Sequence, residues 1–463
     1  MAILDHILFR LPEVRGPKQK KLLPFKEKLK WTLITLVLFF VLGLVPLFGL
    51  GENSLQQFEF LSIILGASFG SIISLGIGPL VTASIVLQLL AGTGILKLNM
   101  TTTEGRQRFQ GLQKLLAIFF IIFEGGIYVL MGGLAPSAAL SGTPLYGQLE
   151  LILIFQLILG GLLIMFMDEV ISKWGFGSGI SLFIVAGVMQ QIFIRAFNFL
   201  PSPTNPDIAA GAIPAFLQAL SFGDVTTAAL QIAAVIATIA VFLICIYVQS
   251  MKVEIPLSFG RVRGHGIRWP LNFFYTSNIP VILVAALMAN VQLFATLLER
   301  WGYPILGTFS GSTPISGPVY WLSPPNLVQN IIQGSFTFSM VAQALLYVVV
   351  FMVGATIFSI FWMQTANMDA KHQAQQILAS GLQIPGFRRD ERILERVLSR
   401  YIWPLTIVGG ASVGLLAALA DLTGTLSNGT GILLAVMIVY KLYEEIAKQH
   451  MMDVHPAVRK FME

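Results

Sequence analysis

One carboxylate stands out before any element is drawn. Glu124 falls inside an apolar stretch, about 12 residues into it and so roughly 18 Å along a helix axis. An ionisable group at that depth of a membrane is costly unless it is paired, and such groups mark ion paths, gates or buried hydrogen bonds. Two readings stand side by side: a gate or ion-coupling group, and a buried carboxyl hydrogen-bonded to a neighbouring helix. Thr82, Asn290 and Gln292 are further polar residues within apolar stretches, and interhelical hydrogen bonding is their default explanation. Asp168 and Glu169 sit beside Lys173 at the end of another stretch, where a solvated interface position is expected.

Other chemistry is sparse. There is no GxxxxGK[ST], HExxH or GxSxG motif, and Gly175-Phe176-Gly177-Ser178-Gly179 does not fit a dinucleotide fingerprint. The five histidines (His6, His265, His372, His450 and His455) have no ligand spacing. The single cysteine, Cys245, excludes an internal disulfide and a Cys-rich metal site. No catalytic residue, cofactor or metal is expected, and the chain does not read as an enzyme. Two loops are rich in arginine: Arg261, Arg263 and Arg268 in one, and Arg388, Arg389, Arg392, Arg396 and Arg400 in the other. They serve either as topology determinants or as a surface for an anionic partner such as ribosomal RNA or lipid headgroups. Arginine suits bidentate phosphate contacts better than lysine does.

The elements that position these residues are membrane spans. The 463 residues are 55% hydrophobic and only 11% charged, against about 25% charged in a soluble domain. Hydropathy and helix breakers place ten spans: about 31–50, 57–96, 112–134, 149–170, 174–197, 226–249, 271–296, 337–365, 401–421 and 429–448. With the N-terminus inside, 27 of the 29 Lys and Arg fall on the cytoplasmic side, and only Arg195 and Arg300 do not. The expected layout is a basic N-terminus over 1–30, a first half over 31–197 and an external connection over 198–225. A second half then covers 226–448, with cytoplasmic loops at 250–271 and 366–400, and a cytoplasmic tail covers 449–463. Five spans per half is an odd number, so equivalent halves would be inverted.

The second span is broken. Gly66, Gly70, Gly76, Gly78 and Pro79 interrupt it, and a helix loses roughly 1 kcal/mol at an interior glycine and about 3 at a proline. A short helix near 58–70 and a full one near 75–95 are expected. Broken backbone in a membrane is tolerated where protein buries it or where it lines a wet cavity, so this stretch points to a transport path.

Five motifs in order carry a resemblance over essentially all ten spans: GIGPLVTASIVLQLL (76–90), WGFGSGISLFI (174–184), SNIPVILVAAL (277–287), SGLQIPGFR (380–388) and NGTGILLAVMIVYKLYEEI (428–446). The chain resembles the SecY family of protein translocation channels, in particular its archaeal and eukaryotic branch. The resemblance implies an all-α integral membrane protein that passes unfolded polypeptides and signal sequences, and releases hydrophobic segments sideways into membrane lipid. It implies an apolar pore ring at Ile77, Val81, Ile180, Ile184, Ile282 and Leu434. Ile77/Val81 and Ile180/Ile184 are i,i+4 pairs, so each pair shares a helix face. It further implies a plug at about 58–71, with Phe58, Leu61, Ile64, Leu65, Gly66 and Ser71. A lateral-gate polar cluster falls on Thr82, Glu124 and Asn290, and ribosome docking on Arg261, Arg263, Arg388 and Arg389. The implied partners are the ribosome, a SecE-type small subunit and a second small single-span subunit, in the cell membrane with both termini cytoplasmic. The proline-rich external loop 297–336 has no motif to align. An inverted-repeat carrier of a small solute, using Glu124 and Asn290, is the alternative.

Overall fold

In the computed structural model the chain is a helical bundle, described over residues 11–17, 23–51, 70–92, 95–96, 102–130, 133–202, 208–259, 266–276, 278–310, 313–379, 382–383 and 390–454. The first half comprises α1 (Phe25–Gly43), α2 (Gly78–Gly92), α3 (Thr103–Leu130), α4 (Pro144–Trp174) and α5 (Gly179–Phe197). There follow α6 (Ala212–Phe222), α7 (Val225–Gln249), the strands β1 (Lys252–Phe259) and β2 (Gly266–Asn272), and α8 (Ile279–Arg300). Beyond α8 lie β3 (Phe309–Ser310), β4 (Thr313–Pro314), α9 (Gly317–Trp321) and α10 (Leu327–Ile332). The chain continues through α11 (Phe338–Thr365), α12 (Ala370–Ala379), β5 (Leu382–Gln383), α13 (Glu391–Leu422) and α14 (Gly429–Val454).

Among the described residues seven helices are long and apolar enough to cross a membrane: α3, α4, α5, α7, α8, α11 and α13. The other three expected spans correspond to α1, α2 and α14. Helix α2 has only 15 residues, α1 opens on Lys26, Glu27, Lys28 and Lys30, and α14 runs through Lys441, Glu444 and Glu445. Helix α7 shows what solvent the bundle requires. Of its 25 residues it buries Ala228, Val241, Cys245 and Gln249, while Ile236, Ile239, Phe242, Leu243 and Ile244 face outward. So large an apolar exterior fits hydrocarbon rather than water.

Several expected boundaries move. The first span is not 31–50: α1 ends at Gly43, and turns occupy 44–50. The connection 198–225 holds the amphipathic helix α6, closed by Gly223 in the left-handed conformation (φ 74°). Within the expected cytoplasmic loop 250–271, β1 and β2 pair antiparallel from Lys252↔Asn272 to Ser258↔Gly266. Strand β5 adds to the other edge of β1 through Ser258↔Gln383 and Phe259↔Leu382. Within 366–400, α12 and the start of α13 are helical, so the ninth span begins inside the expected loop. The loop 297–336 is partly ordered by β3, β4, α9 and α10.

The broken second span takes a definite form. Residues 70–77 are turns, and α2 begins only at Gly78. Ile77 closes the first turn by accepting from Leu80 and Val81 N–H at 3.1 and 3.0 Å. This irregular segment is almost wholly buried, pressed against α4 at Gly160, where a Cβ would land on the Ile72 carbonyl oxygen. Protein therefore covers the broken backbone, as a lipid environment demands. The short helix expected near 58–70 lies outside the described residues.

Candidate functional site

Ile77, Val81, Ile184, Ile282 and Leu434 are all buried and belong to one hydrophobic cluster, with Ile180 packed on its edge. They come from four separate stretches: the start of α2, and helices α5, α8 and α14. Residues more than 350 positions apart in sequence thus share one buried core. Val81, Ile180 and Ile282 also line a cavity of about 460 Å³, together with Lys441, Leu442 and Glu445 among others. Branched aliphatic side chains can close such a centre against water and ions by leaving them no hydrogen-bonding partner.

The polar cluster is also assembled. Asn290 Nδ2 on α8 donates to Thr82 Oγ1 on α2 at 3.1 Å, and the Thr82 hydroxyl lies within hydrogen-bond reach of the Glu124 carboxylate on α3. Glu124 is only 6% exposed, so the geometry shows a satisfied carboxyl rather than an isolated one. A second polar rung joins the same two helices, with Gln113 Nε2 donating to Ser84 Oγ at 2.6 Å. Gln292 does not join the cluster; it donates to Ser323 Oγ at 3.2 Å.

Asp168 and Glu169 are not the solvated interface pair expected. Asp168 accepts from the Ile180 N–H at 2.9 Å, at the start of α5. Glu169 takes Lys114 from α3 and the Val14 N–H from the N-terminal segment. Trp174 Nε1 and Lys173 Nζ add bonds to the Arg15 and Val14 carbonyls, at 3.0 and 2.6 Å, so residues 11–17 form a strap along α4. The sequence pattern concealed this because the partners of both carboxylates are distant or belong to the backbone.

All six segments that the charge distribution puts on one side meet at one face. Lys173 bonds Glu13, Lys114 bonds Pro12 and Glu169, and Lys28 bonds Gln449 at 2.9 Å. Lys252 bonds Glu444 at 2.9 Å, and the β1–β5 pairing brings in the segment after α12. Glu444 hydrogen-bonds the Lys252 ammonium and holds its pKa above the usual lysine value. Arg261, Arg263, Arg388 and Arg389 lie outside the described residues, but each follows Phe259 or Gln383, on the paired strands, by two to six positions in the chain.

Of the expected plug residues, Phe58, Leu61, Ile64, Leu65 and Gly66 also lie outside the described residues. Ser71 is described, and it is buried. It forms an isolated bridge with Pro46, flanked by hydrogen bonds from Leu47 N–H to the Gly70 carbonyl (2.8 Å) and from Ile72 N–H to the Val45 carbonyl (3.0 Å). Gly70 takes φ 85° at this point, a left-handed conformation open to glycine at little cost.

Fold and site together define a polytopic helical membrane protein with a packed apolar core beside an open cavity. A model of the SecY family matches residues 71–443, and one of the plug domain of Sec61p matches residues 37–70. The chain belongs to the SecY family. The protein translocase subunit SecY of Methanothermobacter thermautotrophicus is 49% identical over 456 residues, covering 98% of this chain and 96% of that one. A solved structure described as a protein-conducting channel superposes with a TM-score of 0.85 at 40% identity and 98% of each chain covered. Sec61 in the canine ribosome–channel complex from the endoplasmic reticulum reaches 0.81 at 39% identity, again over 98% of each chain.

Proposed function

We infer that this chain is the central protein-conducting subunit of a protein translocase. It carries unfolded polypeptide across the membrane and lets hydrophobic segments leave sideways into lipid. The observation that supports the reading is that Ile77, Val81, Ile180, Ile184, Ile282 and Leu434, from four stretches, lie in or against one apolar core, and that Val81, Ile180 and Ile282 line an open cavity. These six act as the ring that seals around a passing chain. Thr82, Glu124 and Asn290 hold the lateral gate, which lies between α2 and α3 on one side and α8 and α11 on the other. Residues 58–71 are the plug. The strapped, basic face is cytoplasmic, with both termini on it, and its arginine tips at 261–263 and 388–389 dock the ribosome. A SecE-type subunit and a second small single-span subunit complete the complex. The alternative of a small-solute carrier draws on Glu124 and Asn290, and both already bond Thr82.

The direct test is a stalled, partly translocated nascent chain with Ile282→Cys in a Cys245→Ser background. A disulfide between that cysteine and one in the nascent chain is expected, whereas a cysteine at outward-facing Ile236 should give none. Equal crosslinking at the two positions would remove Ile282 from the path.

A further inference from the structure

Two helices that carry the proposed ring begin on capped ends built in the same way, from opposite sides of the membrane. Helix α5 begins at Gly179 and α14 at Gly429. Asp168, near the end of α4, accepts from Ile180 N–H at 2.9 Å and also takes the Gly179 N–H. Asp421, at the end of α13, accepts from Thr430 N–H at 2.7 Å and also takes the Gly429 N–H. Neither acid is a local cap within its own helix; each reaches from the preceding span to the start of the next.

Both contacts are close. A Cβ on Gly179 would sit 2.6 Å from the Asp168 Cα, and one on Gly429 would fall on the backbone between Ala420 and Asp421. The ring residues Ile184 and Leu434 each stand five positions past their glycine, about 7.5 Å along the axis. The helices are antiparallel and adjacent, since a Cβ at Gly431, near the start of α14, would lie 3.2 Å from Val188, well into α5. The ring is thus held between two capped helix ends, one above it and one below. Each cap is tied in turn to the preceding helix of its own half. Tyr347 on α11 donates to Asp421 Oδ2 at 2.8 Å, and Glu169, next to Asp168, holds Lys114 of α3.

We propose that Asp168 and Asp421 are a matched pair of positioning residues that set the depth and closure of the pore ring. A helix start buried in protein has unpaired N–H groups and the positive end of the helix dipole, and a carboxylate answers both. Here it also fixes where along the axis Ile184 and Leu434 come to rest. The proposal rests on the ring assignment made above.

The test is the ion conductance of the closed, fully assembled channel in planar bilayers. Asp168→Ala and Asp421→Ala are each expected to raise the resting leak about tenfold, the scale of one lost cap. Asp168→Asn and Asp421→Asn keep an acceptor oxygen and should stay near the parent value. Asp168→Glu and Asp421→Glu keep the charge but push the helix start away by a methylene, so they should leak at an intermediate level. Wild-type leak in assembled alanine variants would overturn the proposal, as would asparagine variants that leak like alanine ones. Where alanine prevents assembly, the glutamate–asparagine comparison decides it alone, and a glutamate variant as tight as the asparagine one overturns it. Leu434→Gly is the control for the ring: if it leaks and the aspartate variants do not, only the pairing fails. If it does not leak either, both readings fall.

Discussion

At the scale of single residues, the polar cluster illustrates how a membrane interior uses hydrogen bonds. Thr82 accepts from Asn290, donates to the Gly78 carbonyl and lies within hydrogen-bond reach of Glu124, so removing Asn290 takes a donor from this cluster. Asn290→Leu is therefore expected to cost about 1–3 kcal/mol of stability, read as a lower melting temperature of the purified complex. Replacing all three by apolar residues should restore that loss but hold the gate shut, so signal-sequence crosslinking into α2 and α8 falls. Undiminished crosslinking would leave the cluster a purely structural role. Glu124 was legible in the sequence because a charge in an apolar run is rare. Asp421 was not, because an acid one residue from a helix end looks like any solvated terminus until its partners at Gly429 and Thr430 are known. A third residue carries a pH dependence. The hydrogen bond from Lys173 holds the Glu13 carboxyl below its ordinary 4.5. A depressed carboxyl contributes stability above its unfolded pKa and loses it as pH falls through the folded one. Acidification below 4.5 should thus release residues 11–17, seen as faster hydrogen exchange at the Val14 amide. Protection that persists well below that pH would sink this account of the strap.

At the scale of elements, the broken second span was readable from Gly76, Gly78 and Pro79, and the structure shows turns up to Ile77 and a helix from Gly78. What the sequence did not reveal is the partner. Gly160 is an unremarkable glycine in a hydrophobic run, yet it admits the Ile72 carbonyl against α4. Gly160→Ala should displace this turn at a cost of about 1–3 kcal/mol for overpacking. Because the turn carries Ile77, the closed channel should also leak in a conductance assay; a tight channel with only a lowered melting temperature would uncouple the two. Helix ends were the weaker part of the sequence reading, for a physical reason. Hydropathy reports where lipid begins, whereas α1 and α13 extend into water on charged turns stabilised by caps such as Asp390, which accepts from the Arg392 N–H. Hairpin β1–β2 escaped notice because its strands alternate charged and apolar residues in a stretch dominated by its arginines and glycines.

At the scale of the whole molecule, charge and contacts agree on one face. The segments with most of the lysines and arginines are physically joined there, through Lys28, Lys114, Lys173, Lys252 and the β1–β5 pairing. A surface that neutralises several phosphates loses affinity steeply with salt. Reversing charge at Arg263 and Arg388 together should weaken ribosome binding and flatten its dependence on salt concentration by roughly one unit of slope per lost phosphate contact. Binding with an unchanged slope would return these arginines to topology alone. The centre of the molecule invites a matching test: glycine at Ile77, Val81, Ile180 and Ile184 should make the closed channel conduct ions. These four were picked out by family resemblance, because isoleucine and valine at i,i+4 are ordinary in any membrane helix. Ile77, Val81 and Ile184 share one buried core with Ile282 and Leu434, and Ile180 packs against it.

The bridge between Pro46 and Ser71 has a kinetic consequence. It joins the described chain on either side of residues 52–69, so the plug proposed there would be tethered at both ends. A stopper on such a tether rebinds as an intramolecular partner, at an effective concentration in the millimolar range. Weak contacts with the ring then suffice to reseal it, and the return trip is a loop closure, an event of about 10–100 ns for a loop of ten residues. The bridge would therefore let the proposed plug return quickly without needing tight contacts.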